Sequence, residues 1–328
     1  MKTNPKSHTL NSKSEMRCDP PEAVGHRSSV IGNLSLPLLL ALGFLGLTSA
    51  GATELTIGPV ANRVLDTKLA GTPHVGVNDG AAWQASNSDG TTTRTGVMQF
   101  VATNRNQITV PGTADFNSTL GTITFWLRTV GAVVANPGHE GALIFDRRTG
   151  AGTVIILHDN GRLFEQHTST GVQGTNRVDD GNWHHVAITY DQNSPGSIAI
   201  YVDGALDTAN DNASPWTWPV GQQIELGTSH DAWWRSFNGF LDDLRVYNRR
   251  LNLAEIGQVR NTGALVDTNA LVLRLNFDAV PLGVAWNPTS ATLQAATNLD
   301  GTFVDVPDAT SPYLFTATGE RRFFRTRE

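Results

Sequence analysis

Cysteine occurs once in this 328-residue chain, at Cys18, and lysine occurs once beyond residue 52, at Lys68. A single thiol near the start cannot build a disulfide scaffold, so stability must come from a packed core. Few lysines and scattered arginines leave no basic stripe to follow a phosphate backbone, which removes nucleic acid and anionic membranes from the expected partners; neutral sugars remain open. Nucleophile and metal signatures are missing as well. Gly-x-Ser-x-Gly and His-Glu-x-x-His do not occur, and His184-His185 are strand neighbours rather than two ligands facing one ion. Long apolar runs are equally scarce. The one extended run, Leu34–Leu47, is broken by Pro37 and is shorter than the roughly 20 residues a spanning helix needs. No comparable segment follows, so no transmembrane segment is expected in the mature chain.

The N-terminus is informative in its order. Lys2, Lys6, Lys13, Arg17 and Arg27 precede the apolar run, and Ala50-Gly-Ala52 follows it. Basic, apolar, then small is the order of a secretory signal peptide. Cleavage is expected after Ala52, with Ala50 the second choice, and a start at Met16 instead of Met1 leaves the mature chain unchanged. Cys18 goes with the leader, and its context, Arg17 before it and the apolar run after it, is not that of a lipobox. The remainder carries 19 basic and 27 acidic residues, a net charge of −8. About 275 residues are left, enough for one sandwich and a small appendage. The expected location is outside the cell or on its surface.

What remains is rich in Thr, Gly and Asn, with short alternating segments divided by turn residues, the pattern of an all-β sandwich. Strands are predicted at 97–101, 107–110, 121–127, 142–145, 153–157, 163–167, 183–190, 197–202, 224–226, 240–247 and 271–277. Asn160-Gly161 and Asp203-Gly204 mark tight hairpins. In 123–127, Ile123, Phe125 and Leu127 share one face, while Thr122, Thr124 and Trp126 share the other. Trp183 and one of His184 and His185 read as packing residues with backbone partners for their ring nitrogens. One helix is predicted over 252–259, with Asn252 as cap, Glu255 returning the bond, and Gly263 beyond its end.

Three motifs stand in order: Asp180-Gly-Asn-Trp-His-His-Val-Ala-Ile-Thr-Tyr-Asp191, Ile200-Tyr-Val-Asp-Gly204, and Gly239-Phe-Leu-Asp-Asp-Leu-Arg-Val-Tyr-Asn-Arg-Arg-Leu251. Together they resemble the LamG-like jelly roll of the concanavalin A-like lectin and glucanase superfamily. The resemblance implies a two-sheet antiparallel jelly-roll sandwich used mostly for binding, and it speaks to architecture more than to chemistry. The helix resembles the family's turn after its last motif strand. Leu271-Val-Leu-Arg-Leu-Asn-Phe-Asp278 resembles the strand that usually opens such domains; here it is expected to close the same sandwich, since about 50 residues are too few for a second copy. Residues 281–328 resemble a small C-terminal β-rich extension of secreted bacterial proteins, with Trp286, Phe303, Tyr313 and Phe323 forming an apolar face. The expected organisation is a leader over 1–52, the sandwich over 53–280 and the appendage over 281–328.

Superfamily glucanases set their carboxylates on one strand face in a Glu-x-Asp-x-x-Glu pattern, because retaining hydrolysis needs two carboxyls about 5–5.5 Å apart. No two acidic residues past the leader are separated by a single residue, and a strand points Asp242 and Asp243 to opposite faces. A non-catalytic protein is therefore expected. LamG-like sandwiches often hold structural Ca²⁺, which favours six to eight oxygen ligands. Asp242 or Asp243, with Asp278 in the "FD" motif, are the candidate ligands; the alternative is a carboxylate satisfied by Arg245 or backbone amides. For a ligand site, Trp216, Trp218, Trp233 and Trp234 lie in two loops between predicted strands, where sandwich lectins place stacking residues; covering the core is the alternative. The expectation is a secreted binding or adhesion module for a glycan or an extracellular surface protein. A structural or anchoring component without sugar specificity and a divergent polysaccharide hydrolase are the rival readings.

Overall fold

The computed structural model describes residues 54–328 apart from 69–72, 132–140, 150, 168–170, 194, 232, 279, 288, 316–321 and 328. The leader, with both cleavage positions, lies outside the described residues.

Two antiparallel sheets form the body. The first runs Gly171–Arg177, Arg162–Gln166, Ala151–His158, Gly141–Thr149, Ile224–Leu226, Gln107–Val110, Val75–Asp79 and Arg63–Leu65, with Arg235–Ser236 added parallel to Gly141–Thr149. The second runs Ala205–Ala213, Gly196–Val202, Trp183–Asp191, Leu120–Thr129, Gly239–Tyr247, Thr93–Phe100 and Ala82–Ser88. Leu271–Leu275 joins it by pairing with Gly239–Tyr247, so the motif that resembles an opening strand closes the sheet.

Alternation fixes which side chains meet between the sheets. Ile108, Phe145, Ile155 and Leu157 of the first sheet pack with Ile123, Phe125, Leu127, Val186, Ile188 and Ile200 of the second. A one-residue slip would turn each set outward, so the buried face pins the register. The 203–204 hairpin needs positive φ at both central positions, and Asp203 (52°) and Gly204 (80°) supply it.

The far face of the second sheet is covered over part of its width by the helix Leu253–Thr262 (α1), whose Ile256 and Val259 pack on Ala187, Tyr247 and Leu271. Asn252 accepts from the Glu255 amide, Glu255 returns the bond, and Gly263 ends the helix in the left-handed region. Elsewhere on that face Trp126, Trp183, Phe240 and Val97 form a second apolar cluster.

Two three-stranded sheets complete the chain. One holds Glu54–Pro59, Leu282–Asn287 and Tyr313–Phe315; the other holds Val304–Asp305, Thr292–Ala296 and Phe323–Arg327. Trp286 is buried among Val284, Ala291 and Leu293, with Tyr313, Phe315 and Phe324 packed against them. The strand Glu54–Pro59, which a division at residue 280 gives to the sandwich, pairs instead with Leu282–Asn287. The first of these small sheets is thus assembled from both ends of the described chain.

Candidate functional site

The four loop tryptophans divide. Trp216, Trp218 and Trp234 are 5%, 8% and 2% exposed, whereas Trp233 is 53% exposed. Trp216 lies 4.4 Å from the His167 ring and Trp218 5.4 Å from Tyr190, and both belong to the core between the sheets. The buried Gln192 amide, with its oxygen turned toward the indoles, accepts from Trp216 Nε1 at 2.9 Å and Trp218 Nε1 at 3.1 Å. The Pro215–Pro219 segment is therefore a plug in the end of the sandwich. The expected convergence of the two loops into one aromatic platform does not occur. Arg147 lies over Trp218 and its neighbour Arg148 over Trp234, and adjacent strand residues point to opposite faces of their sheet.

Trp234 holds its own loop down. It packs on Leu143, Val154 and Ile156, with Phe164 against the group, on the outer face of the first sheet. Around it the loop is tied at several points: Arg148 donates to Asp231 Oδ2 at 3.0 Å, Asp231 Oδ1 accepts from the Trp233 amide at 2.8 Å, and Arg235 pairs with Asp159. The clamped loop presents Trp233 and His230 to solvent.

Beneath it lies a carboxylate pair. Asp146 of Gly141–Thr149 and Glu225 of Ile224–Leu226 are register partners across the first sheet, and both are fully buried. Asp146 Oδ2 accepts from Ser229 Oγ at 2.7 Å; Glu225 Oε2 accepts from the His230 amide at 2.7 Å and lies 2.9 Å from His230 Nδ1. Gln223 donates to Glu225 Oε1 at 2.6 Å. Asp146 Oδ1 has no hydrogen-bond partner among the described residues. Burial, with the Glu225 charge adding to it, pushes the Asp146 carboxyl up to about 6 against the Ser229 hydrogen bond and the Arg148 and His230 charges.

The calcium set expected from Asp242, Asp243 and Asp278 is not assembled. A left-handed residue at Asp243 and a register shift between Asp242 and Arg245 break the simple alternation of faces, and both carboxylates are buried with arginines. Arg245 donates to Asp243 at 2.6 and 3.1 Å and Arg274 at 2.8 Å. These bonds and charges outweigh burial and hold Asp243 below the usual carboxylate range. Arg94 donates to Asp242 at 2.6 Å and also lies 4.4 Å over Trp126; burial still pushes Asp242 up to about 6. Asp278 is exposed at a separate place. It lines a cleft of about 250 Å³ with Trp83, Arg63, Asn78, Arg274 and Asn276, where the sandwich meets the start of the C-terminal segment. Trp83 is 38% exposed there and its indole donates to the Phe277 carbonyl at 2.7 Å.

The two motif histidines part ways. His184 sits between Asp203 (2.8 Å) and Asp180 (2.9 Å); burial lowers its proton affinity, but the two carboxylates overcome that and raise it. His185 is buried beside Trp126, and neither ring nitrogen finds a partner among the described residues. Trp183 meets the packing expectation, donating to the Asn87 carbonyl at 3.2 Å.

With two sheets, the motif strands at their centre and a covering helix in place, the architecture is that of a two-sheet jelly roll. Residues 102–257 match the Laminin_G_3 family, concanavalin A-like lectin/glucanases superfamily. The sandwich is a concanavalin A-like jelly roll. No curated protein matches the chain. Among solved structures, a putative carbohydrate binding protein from Bacteroides ovatus is 17% identical over 71% of this chain and 60% of its own, with a TM-score of 0.44. Domain 4 of an extracellular arabinanase from Geobacillus stearothermophilus, solved with arabinotriose, is 18% identical over 63% of this chain and 88% of its own, with a TM-score of 0.41. The binding domain of Paraclostridial mosquitocidal protein 1 is 15% identical over 79% of this chain and 69% of its own, with a TM-score of 0.46.

Within this jelly roll the pair Asp146 and Glu225 escaped sequence reasoning. A search for carboxylates close in sequence cannot find two that meet across strands joined only by the fold. The available signal was compositional: an acidic residue embedded in each of two apolar strands, Leu143-Ile-Phe-Asp146 and Ile224-Glu-Leu226, which a buried strand rarely carries without a partner.

Proposed function

We propose that the chain is an exported, non-catalytic binding module that recognises a polysaccharide or another extracellular surface ligand through the loop carrying Trp233. The observation that carries this reading is the half-exposed indole of Trp233 on a loop clamped by Trp234, Arg148 and Arg235. A sugar presents apolar C–H faces to such a ring, and the neighbouring Asp231 and His230 offer polar groups for its hydroxyls. A loop already held in place loses little freedom on binding. The jelly-roll family, whose members include lectins, supports a binding role. Export rests on the leader pattern alone.

The burial of Asp146 and Glu225 weighs against hydrolysis. Two carboxyls that cleave a glycosidic bond must flank it, and these two are covered by the loop. A structural or anchoring component is the reading that remains if no sugar binds.

The test is glycan-array and polysaccharide pull-down binding of the wild type, Trp233→Ala and Trp83→Ala. Trp233→Ala is expected to weaken binding by about tenfold or more, as loss of a stacking anchor does, with an unchanged melting temperature. Loss in Trp83→Ala alone would move the site to the cleft. Absence of any glycan binding favours the anchoring role, and release of sugars from a polysaccharide would establish the hydrolase.

A further inference from the structure

The outer face of the first sheet carries an arrangement that the binding role does not explain. Asp146, Glu225 and His230 bring one ligand atom each to within 4.8 Å of one another, the only such set of three or more His, Cys, Asp or Glu among the described residues. Two of the three are fully buried carboxylates in cross-strand register. Neither has an arginine or lysine within ion-pairing distance among the described residues, in contrast to Asp242 and Asp243, which have three arginines between them. A buried carboxylate pair whose nearby Arg148 is ion-paired to Asp231 instead is costly, and the usual remedies are a shared proton or a cation.

A second observation stands beside the cluster. Asp146 Oδ1 is buried and without a hydrogen-bond partner among the described residues, while its other oxygen is fixed by Ser229. Glu225 is oriented through both oxygens, Oε1 by Gln223 and Oε2 by His230. The orphaned oxygen belongs to a member of the cluster and is left as an open ligand atom.

We propose that Asp146, Glu225 and His230 form a binding site for one divalent transition-metal ion of the zinc class. Two carboxylates and an imidazole suit Zn²⁺, which accepts mixed oxygen and nitrogen ligands at about 2.0–2.2 Å, better than Ca²⁺, which requires six to eight oxygens. The ion replaces the proton between His230 Nδ1 and Glu225 Oε2, already 2.9 Å apart, and takes an Asp146 oxygen as its third protein ligand. The Ser229 and Gln223 bonds orient the two carboxylates from behind, as outer-shell groups do in built metal sites. His230 is the exposed member of the three, so the ion enters from the solvent side, and a fourth position is left for water or a ligand. The site stands whether or not Trp233 contacts a sugar.

The experiment uses the full mature chain, stripped with chelator and titrated with Zn²⁺, Mn²⁺ and Ca²⁺ while bound metal and melting temperature are followed. Zn²⁺ is expected to bind at one equivalent and to raise the melting temperature until saturation, because an ion that binds only the folded state stabilises it. Asp146→Asn, which keeps the shape of the side chain, and His230→Ala, at an exposed position, should each lose that rise by at least tenfold in Zn²⁺ concentration while remaining folded. No Zn²⁺ binding by the wild type would overturn the proposal and leave the carboxylates sharing a proton. A rise preserved in both variants would place the ion elsewhere and also overturn it, as would a response to Ca²⁺ with none to Zn²⁺. Glycan binding is not part of the readout, so this outcome and that of Trp233→Ala are independent.

Discussion

His185 shows how a single side chain can set an acid response. It is 1% exposed, beside Trp126. Burial lowers its proton affinity to about 3, with Arg245, Arg94 and Arg260 adding to the effect and Asp243 opposing it. In the unfolded chain the imidazole protonates near about 6.5. Between those values the unfolded state holds a proton that the native state refuses, so stability falls as pH falls, by about 1.4 kcal/mol per pH unit at most. Asp146 and Asp242, pushed up to about 6, act in the opposite sense. The native state takes their protons first, so each adds stability as pH drops from about 6 toward the ordinary carboxylate value. The wild-type curve therefore mixes signs, and a difference measurement isolates the histidine. Urea midpoints of His185→Leu and wild type should converge, or cross in favour of the variant, as pH goes from 7 to 4.5. Parallel curves would show that the ring is protonated in the native state.

At the scale of elements, the strand Gly239–Tyr247 and helix α1 share one device. Arg245, fully buried, donates to Asp243 and also to the carbonyls of Gly263 and Ala264 just past the helix end. One guanidinium thus ties the bulged strand to the C-terminus of α1, while Asn252 caps the other end in the open. Asp243→Ala leaves that guanidinium buried without its carboxylate, and loss of one partner of a buried pair costs about 3–5 kcal/mol. Asn252→Ala removes one cap bond at an exposed position, worth about 1 kcal/mol. Equilibrium denaturation should rank the two in that order, and equal losses would mean that water satisfies the Arg245 guanidinium in place of Asp243. The same scale explains which strands were legible. Seven described strands escaped prediction in the body and its N-terminal approach, and four of them, Arg63–Leu65, Ala82–Ser88, Gly171–Arg177 and Ala205–Ala213, are the sheet edges. An edge strand such as Ala-Leu-Asp-Thr-Ala-Asn-Asp-Asn-Ala is polar on both faces, a common way to discourage pairing with other chains, and polarity on both faces erases the alternation by which strands are read.

For the whole molecule, the small sheet joining Glu54–Pro59 to Leu282–Asn287 links the two ends of the described chain. Leu55 faces Trp286 in register, and the Trp286 indole donates to the Ala291 carbonyl at 2.8 Å. Trp286→Ala empties the centre of that small core, a change that costs about 3–5 kcal/mol in well-packed interiors. The sandwich, with its separate core, should stay folded. Limited proteolysis with mass mapping is expected to open residues 54–59 and 282–315 together; cleavage of the C-terminal segment alone, with 54–59 protected, would show that the first strand is held by something other than its sheet partner.

Local order in the sequence was enough to determine the all-β class, the central strands with their inward faces, the tight turn at Asp203-Gly204 and the cap of α1, because each depends on residues a few positions apart. The motif strands placed the chain with the concanavalin A-like jelly rolls for the same reason. Tertiary structure alone decided which loop tryptophans are buried, since an indole in the 215–219 loop reads the same whether the loop stands out or plugs the sandwich. It decided that Asp243 answers to two arginines, one of them on the closing strand, and that Asp278 lies apart in a cleft. It also brought Asp146 and Glu225 together, because cross-strand register joins residues that no spacing rule connects.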